Sequence, residues 1–447
     1  MSQEDRPPGP RGPAKWGQLL RARRDPIGFL AGLRDRYGDV AFFRVGPARF
    51  YVLSHPEYAA DLLEHRSAFY AKGKAEVRTA ARLLGEGLLA SEGDLHAHER
   101  HVIEPLMSSR VVARFADVAV EFAGRTAQRW QNGKTVDVER EMNGLTHAVV
   151  IRAMFGVDID APDAGPLPAA LAEAAETYSR LPIPFSRLSS RLPIRANRRF
   201  ERARARLDRI IGELVAARRA GGADDLLGDL VEAGISDRQV RDEAMTLFLP
   251  GRKPLATALT WTWFLLSGNP GVEARLHADV DAALGGRERL TAEDLPRLVY
   301  TRMVLSEALR LYPPAWIVLR KATRDHDMGP HRIRAGSSVV ASHFVIQHDA
   351  RFNPAPERFD PDRWAPGRDG ERVPFSWFPF GGGDRRCIGE AFAWMEGVLA
   401  LATIAHWWRL RLVPDHPVEL WPKVTLLPRH GMAMVPERRR ARGDRPP

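Results

Sequence analysis

The only cysteine of the chain, Cys387, lies in a glycine-rich loop just before an apolar helical pattern. The stretch reads FPFGGGDRRCIGEAFAWMEG over residues 378–397, with glycines at 381–383 and at Gly389. Glycine permits close backbone approach and positive φ, and the N-terminus of a helix stabilises a thiolate. A single cysteine excludes an internal disulfide and a multi-cysteine zinc or iron–sulfur site. The loop therefore offers a thiolate to a large, flat group.

The residues next to Cys387 indicate whether it is a ligand or has the commoner structural role. A lone cysteine is usually a small buried hydrophobe. Here Arg385 and Arg386 add positive charge directly before Cys387, which favours the thiolate form. A redox sensor would fit this charge, but it would not need so many small residues.

The spacing Phe380–x–x–Gly383–x–Arg385–x–Cys387–x–Gly389 resembles the heme-binding loop of the cytochrome P-450 family. The resemblance implies a fold that is mainly α with a small β subdomain, and a heme b whose iron is ligated by the cysteine thiolate. Thiolate ligation favours O–O cleavage. The implied function is a heme-thiolate monooxygenase or oxidase that acts on a hydrophobic small molecule in specialised metabolism.

Two charged residues ahead of Pro313 extend this resemblance. Glu307 and Arg310, read alone, would be an i,i+3 pair on a helix surface. The family keeps a buried Glu–Arg pair at this place, and the sequence PERF at 356–359 supplies Arg358 as its third member. The resemblance therefore implies a structural ion cluster near the heme loop.

Heme propionates need cationic partners, and the resemblance assigns four. His96 and Arg100 lie four apart on one helical face, and Arg320 and Arg385 match the other two positions. Arginine binds carboxylates strongly and in a plane. For Arg100 and Arg320 the alternative is a solvated surface position. A metal site on the histidines of 92–105 is a weaker alternative, because no carboxylate or cysteine completes it.

The stretch LFLPGRKPLATALTW, residues 247–261, carries two prolines four apart inside an apolar helical pattern. A proline has no N–H to donate, and each costs about 3 kcal/mol in an ordinary helix. The family's central helix crosses the heme here and usually reads Gly–x–acid–Thr, the last two of which relay protons during oxygen activation. Gly251 aligns with this pattern, whereas Lys253 and Pro254 replace the acid and the alcohol.

This replacement leaves several interpretations open. A carboxylate or hydroxyl of the substrate could pair with Lys253 and manage the protons. A basic residue followed by proline also resembles the fatty-acid peroxygenase branch, which uses peroxide. A heme reaction that needs no such protons is a third possibility. Alternatively Lys253 turns to solvent, or Thr257 or Thr260 supplies a displaced alcohol. The rival class is a heme-binding sensor or carrier without turnover.

The resemblance also marks segments that face substrate, and most of their residues are apolar. In isolation such residues are more often core than pocket. The candidates are Leu83, Leu84, Leu255, Ala256, Ala315, Trp316, Ile317, Val424, Leu426 and Leu427.

Periodicity and turn signals predict one large helical body with a β part built from both ends of the chain. A hairpin is expected at 39–54. Helices are expected at 18–37 with a break at Pro26, and at 56–65, 98–107, 111–131, 137–155, 166–179, 196–219, 237–266, 269–286, 298–311 and 388–407. Further strands are expected at 316–323, 331–334, 337–340, 410–413 and 424–435. We expect a flexible segment at 1–15, a single catalytic domain at 16–436 and a basic disordered tail at 437–447.

The length and charge of the chain limit the kinds of partner that we expect. The chain has 447 residues and a net charge of +10, with no export signal and no apolar stretch that could span a membrane. We expect a cytoplasmic monomer without membrane or nucleic-acid binding, because no nucleic-acid motif accompanies the charge. No flavin or iron–sulfur module is fused, so electrons would come from a ferredoxin and a ferredoxin reductase, unless peroxide replaces them.

Overall fold

The computed structural model describes residues 7–10, 22–179 and 195–439. Most of this chain is helical, as predicted. The helices are α1 (Pro26–Tyr37), α2 (Pro56–Ala60), α3 (Lys74–Leu84), α4 (Gly93–Ile103), α5 (Ser109–Val112), α6 (Ala116–Arg129), α7 (Val138–Phe155), α8 (Leu167–Ser179), α9 (Arg195–Gly221), α10 (Leu226–Glu232), α11 (Asp237–Gly268), α12 (Pro270–Leu284), α13 (Val299–Leu311), α14 (His343–Gln347) and α15 (Glu390–Trp407). The strands are β1 (Val40–Val45), β2 (Ala48–Leu53), β3 (Tyr70–Ala71), β4 (Val136–Asp137), β5 (Val318–Ala322), β6 (His326–Met328), β7 (His331–Ile333), β8 (Ser338–Ala341), β9 (Trp408–Leu412), β10 (Leu420–Pro422), β11 (Leu426–Pro428) and β12 (Ala433–Arg438).

The strands join distant parts of the chain. The predicted hairpin is confirmed, because β1 and β2 pair antiparallel from Val40 opposite Leu53 to Val45 opposite Ala48. It lies in a five-stranded sheet of order β1-β2-β8-β5-β3, and a second sheet of order β4-β12-β9 brings the C-terminal strand to the start of α7. The β part is thus built from both ends of the chain, as predicted.

The helical body is organised around α11 and α15. Helix α7 packs along α11, α6 packs along α15, and α13 touches both α11 and α15. Helix α15 is apolar on every side and is buried almost throughout from Phe392 to Trp407, as expected of a helix surrounded by others.

Helix ends were predicted less well than helix positions. Helix α4 begins at Gly93, five residues earlier than expected, and α10 was missed. Asn269 precedes α12 as predicted, but its side chain makes no capping bond. Its amide donates instead to the Leu265 carbonyl of the preceding helix (2.7 Å).

The helix predicted at 237–266 is confirmed, because α11 runs as one helix through Pro250 and Pro254. The residues on both sides are held in the core: 240–248 and 255–263 are all buried. Apolar burial on both flanks stabilises the helix more than the two missing bonds destabilise it. The stretch between these two buried segments is different, since Pro250, Gly251 and Lys253 are exposed.

The N-terminal half of α11 holds the loop that follows α3. The Asp242 carboxylate accepts the Glu86 N–H (2.9 Å), and the Glu243 carboxylate accepts the Leu88 N–H (3.0 Å). A Cβ at Gly87 would lie 2.4 Å from the Thr246 hydroxyl, so glycine is required by this close approach. The loop is thereby fixed against the helix two turns before Pro250.

Parts of both chain ends are ordered. Residues 7–10, within the segment expected to be flexible, lie against β1, where the Phe42 N–H donates to the Pro8 carbonyl (2.9 Å). Strand β12 continues to Arg438, beyond the expected domain end at residue 436. The rest of the expected flexible segment and residues 440–447 of the tail lie outside the described residues.

The buried ion cluster has a different third member from the one predicted. The side chains of Glu307 and Arg310 are fully buried and joined by two bonds of 2.8 and 2.9 Å. Glu307 also accepts from the Arg363 guanidinium (3.2 Å). Arg358 contributes only its carbonyl, which accepts from Arg310 (3.2 Å), while its side chain is exposed. The prediction of Arg358 as the third charge was therefore wrong, because the chain turns Arg363 inward instead.

We predict that Arg363→Ala destabilises the fold and lowers the content of the heme that the resemblance implies, whereas Arg358→Ala leaves both unchanged. Removing Arg363 leaves a buried carboxylate short of one donor, which costs about 1–3 kcal/mol, while Arg358→Ala keeps the carbonyl that is used. Denaturant unfolding and the heme-to-protein ratio measure the two effects. Equal behaviour of the two variants would contradict the assignment.

Candidate active site

The cysteine loop is a compact turn held by its own backbone. The Cys387 N–H donates to the Phe380 carbonyl (2.8 Å). Gly383 has φ of 61°, and a Cβ there would lie 2.2 Å from the Leu63 carbonyl oxygen. Glycine is therefore required at 383 by both backbone conformation and contact. Helix α15 begins at Glu390, three residues after the cysteine.

Cys387 is exposed and lines an open cleft of about 650 Å³. Burial raises the pKa of the Cys387 thiol, and Glu390 adds to this. The Gly389 N–H, Arg100 and Arg386 lower that pKa but do not outweigh burial. The loop alone therefore favours a thiolate less than its sequence suggests. Coordination to a metal ion deprotonates a thiol outright, so the loop fits a metal-bound cysteine.

A cluster of basic side chains lies beside this loop. Burial and Arg385 lower the pKa of Arg320 to about 10 and the pKa of Lys72 to about 8. Burial and Lys72 lower the pKa of His96 to about 4. The shared cause shows that these groups lie within electrostatic range of one another, at a place poor in water.

The basic cluster contains fewer anionic side chains than cationic ones. Arg385 forms a two-pronged contact with Glu92, in which one N–O distance is 2.7 Å. The Lys72 ammonium donates to the carbonyls of Leu88 (3.0 Å), Leu89 (2.8 Å) and Ser91 (3.1 Å). Buried positive charges need anionic partners, so the cluster fits a ligand that carries carboxylates.

Sequence reasoning missed Lys72, because an isolated lysine in a loop has no spacing signal. Arg100, predicted with this group, donates to the Arg386 carbonyl (2.9 Å) and to Glu104 (3.2 Å) at the cysteine-loop side. Within the described ranges, no group of three histidine, cysteine or acidic side chains could hold a metal ion, so the histidine alternative gains no support.

The comparisons with known proteins agree with this geometry. The model of the family described as Cytochrome P450 matches residues 7–434. The chain belongs to the cytochrome P450 family. Its described helices include none with the length and apolar character needed to cross a bilayer.

Several curated relatives of this P450 come from Streptomyces. Cyclooctatin synthase of Streptomyces melanosporofaciens is 38% identical, with 95% of this chain and 94% of that protein aligned. Cyclooctat-9-en-7-ol 5-monooxygenase of the same organism is 35% identical over 89% and 88%. Pentalenene oxygenase of Streptomyces avermitilis is 31% identical over 90% of each chain.

The fold agrees with a solved structure, the heme domain of cytochrome P450DA. The TM-score is 0.85 at 24% identity, with 97% of this chain and 98% of that chain covered. With the family established, the protein is a heme-thiolate monooxygenase, and Cys387, its only cysteine, is the iron ligand. The heme supplies the oxidising chemistry when bound. The sensor or carrier alternative is not supported.

The middle of α11 exposes Pro250, Gly251 and Lys253. Successive helical residues are turned by about 100°, so Pro250 and Pro254 project between Lys253 on one side and Gly251 on the other. Lys253 lies at the edge next to α7, where it lowers the pKa of Glu139, although burial and Asp137 raise that pKa overall. The ammonium itself is exposed.

Helix α11 offers no displaced alcohol near Pro254. The Thr257 hydroxyl donates to the Lys253 carbonyl (2.9 Å), and the Thr260 hydroxyl donates to the Ala256 carbonyl (2.7 Å). Both side chains are fully buried. These hydroxyls are therefore used by their own helix, and the alternative gains no support.

Most of the predicted substrate contacts are placed in the core. Leu255 faces α13 and α15, since a Cβ at Gly397 would lie 2.9 Å from both Leu255 and Leu305. Ala256 and Leu426 are fully buried. Their placement does not support a role in substrate binding.

Trp316 packs against the β10–β11 hairpin and does not line an open substrate site. It is buried, and its indole donates to the Lys423 carbonyl (2.8 Å). At the hairpin tip Val424 is 91% exposed, and Leu89 in the loop after α3 is 44% exposed. Ala315 is exposed as well.

We predict that Cys387→Ala abolishes the thiolate-type absorption of the reduced carbon monoxide complex. No other side chain of the protein can supply a thiolate, because the chain has one cysteine. The spectrum of the purified variant, reconstituted with heme, is the measurement. A variant that keeps the thiolate-type spectrum would overturn the ligand assignment.

Proposed function

We propose that this P450 oxygenates a cyclic terpenoid in specialised metabolism. The observation that carries the proposal is the end-to-end similarity to three proteins named for such compounds, cyclooctatin, cyclooctat-9-en-7-ol and pentalenene. Exposed apolar side chains such as Leu89 and Val424 support it, because a hydrocarbon skeleton binds by burying apolar surface.

A ferredoxin and a ferredoxin reductase are the proposed source of electrons. The cleft at Cys387 is lined by Arg100, Arg302 and Arg386, of which Arg100 pairs with Glu104 and Arg386 with Glu390. Together with the net charge of +10, this rim supports an acidic electron carrier, because complementary charge steers such encounters. Peroxide is the alternative oxidant.

The purified, heme-loaded protein tests the function directly. Cyclooctat-9-en-7-ol or pentalenene should produce a substrate-type shift in the heme spectrum, and lauric acid, a linear fatty acid, serves as the control ligand. With NADPH, ferredoxin and reductase, the bound terpenoid should gain oxygen. Product formed only with peroxide would reject the carrier. A shift with lauric acid alone would reject the terpenoid class.

We further propose that Lys253 holds a polar group of the substrate at the edge of the distal side. Its exposed ammonium lies in the middle of α11, one turn after Pro250. Charge-assisted hydrogen bonds are stronger than neutral ones. The carboxylate of Glu139 attracts this ammonium toward α7. The alternative is that the ammonium stays beside Glu139 and does not contact the substrate.

We predict that Lys253→Met weakens binding of cyclooctat-9-en-7-ol by about tenfold, the loss typical of a hydrogen bond to a charged group. Heme content should not change. Spectral titration gives the affinity, and Lys134→Met, which removes an exposed lysine between α6 and β4, is the matched control. Unchanged affinity in Lys253→Met would show that the ammonium faces α7 and solvent.

A further inference from the structure

The two prolines of α11 leave two backbone carbonyls without their usual donors. In an α-helix the N–H of each residue binds the carbonyl four residues earlier, and proline has no N–H. Pro250 therefore leaves the Thr246 carbonyl without its donor, and Pro254 leaves the Pro250 carbonyl without its donor. Because the helix continues through both prolines, the two carbonyls are held in fixed positions.

The surroundings of these two carbonyls differ. Thr246 is buried, 5% exposed, under the loop that contains Gly87. Pro250 is exposed, and it lies in the stretch that corresponds to the part of the family's central helix that crosses the heme. Only the carbonyl at Pro250 is thus placed to accept a hydrogen bond from a molecule bound beside the helix. An acceptor in an apolar site selects a ligand that can donate.

A donor lies directly beside this acceptor. Lys253 follows Pro250 by three residues, and residues three apart are neighbours on a helix surface. Its ammonium donates hydrogen bonds and accepts none. One turn of α11 therefore presents an acceptor and a charged donor next to each other.

We propose that this pair selects a terpenoid alcohol, an inference that rests on the proposed function. A hydroxyl group both donates and accepts, so one hydroxyl satisfies the Pro250 carbonyl and the Lys253 ammonium together. A ketone would satisfy the ammonium alone. A carboxylate would meet the ammonium but place its negative charge against the carbonyl oxygen. A hydrocarbon would leave both groups unsatisfied.

The side-chain hydroxyls that follow Pro254 in α11 do not compete for these groups. Thr257, Thr260 and Thr262 are fully buried, and each donates to the carbonyl four residues earlier in the helix. Water therefore hydrates the exposed carbonyl and ammonium in the free protein, and a ligand hydroxyl would replace it. The name of one relative indicates a substrate of the same chemical class, because cyclooctat-9-en-7-ol is an alcohol.

This selectivity gives the enzyme a place in a reaction sequence. A substrate that already carries a hydroxyl must come from a cyclisation that ends in capture of water, or from an earlier hydroxylation. The protein would then add oxygen to a skeleton that is already functionalised, rather than to the parent hydrocarbon.

Two proline variants test the inference, because each restores a different N–H. Pro254→Ala returns a donor to the Pro250 carbonyl and so removes the acceptor. Pro250→Ala returns a donor to the Thr246 carbonyl and leaves the carbonyl at position 250 free, which makes it the matched control. Both replace a helical proline by the best helix former, so both variants should fold, and thermal unfolding verifies this.

The ligands are cyclooctat-9-en-7-ol, the ketone obtained by oxidising its hydroxyl group, and the hydrocarbon that lacks the group. Spectral titration and calorimetry of the heme-loaded proteins give the affinities. We expect Pro254→Ala to weaken binding of the alcohol threefold to tenfold, about the value of one neutral hydrogen bond. Its affinity for the ketone and the hydrocarbon, and all affinities of Pro250→Ala, should stay within about twofold of wild type.

The remaining outcomes separate the inference from the proposed function. If none of the three ligands binds to the wild-type protein, the terpenoid function is rejected, and the inference with it. If the wild type binds all three equally, or Pro254→Ala weakens all three equally, the inference is rejected and the function stands. If Pro250→Ala behaves like Pro254→Ala, helix geometry rather than the free carbonyl determines binding, and the inference is also rejected.

Discussion

The carboxylate of Glu307 holds together the part of the fold that carries the iron ligand. It is fully buried, and it accepts from Arg310 in its own helix, from the Asp360 N–H (3.1 Å), from Arg363 and from the Trp364 indole (2.9 Å). A buried carboxylate is stable only when its oxygens are satisfied in this way. The segment around 360–364 is therefore fixed to α13.

A row of aromatic rings connects the anchored segment at 360–364 to the cysteine loop. The Trp364 ring lies 4.3 Å from Trp377, Trp377 lies 6.5 Å from Trp394 in α15, and Phe380 lies 5.6 Å from Trp394. The Phe380 carbonyl in turn accepts the Cys387 N–H. Aromatic side chains bury large areas and pack in defined geometries. Loss of the ion cluster would therefore disturb the thiolate position as well as the stability of the fold.

Local patterns predicted the fold and the cysteine loop, whereas side-chain directions depended on tertiary packing. The spacing around Cys387 and the alternation of the β1–β2 hairpin are properties of a few consecutive residues, so the sequence was sufficient. PERF at 356–359 and PDRW at 361–364 share the pattern Pro–acid–Arg–aromatic, so the choice of Arg363 over Arg358 depends on how the loop turns against α13. Likewise, burial of Lys72 and the direction of Leu255 follow from contacts with segments far away in the chain.

Helix α11 shows how such distant contacts permit an unfavourable local sequence. Two prolines in one turn would destabilise an isolated helix by about 3 kcal/mol each. Here Asp242 and Glu243 fix the preceding turns to a loop, and the Trp261 indole donates to the Leu426 carbonyl (2.7 Å) two turns after Pro254. With both flanks held, the middle of the helix need not stabilise itself. The missing backbone bonds are then retained in the exposed stretch around Pro250, where we propose that the free carbonyl is used for recognition.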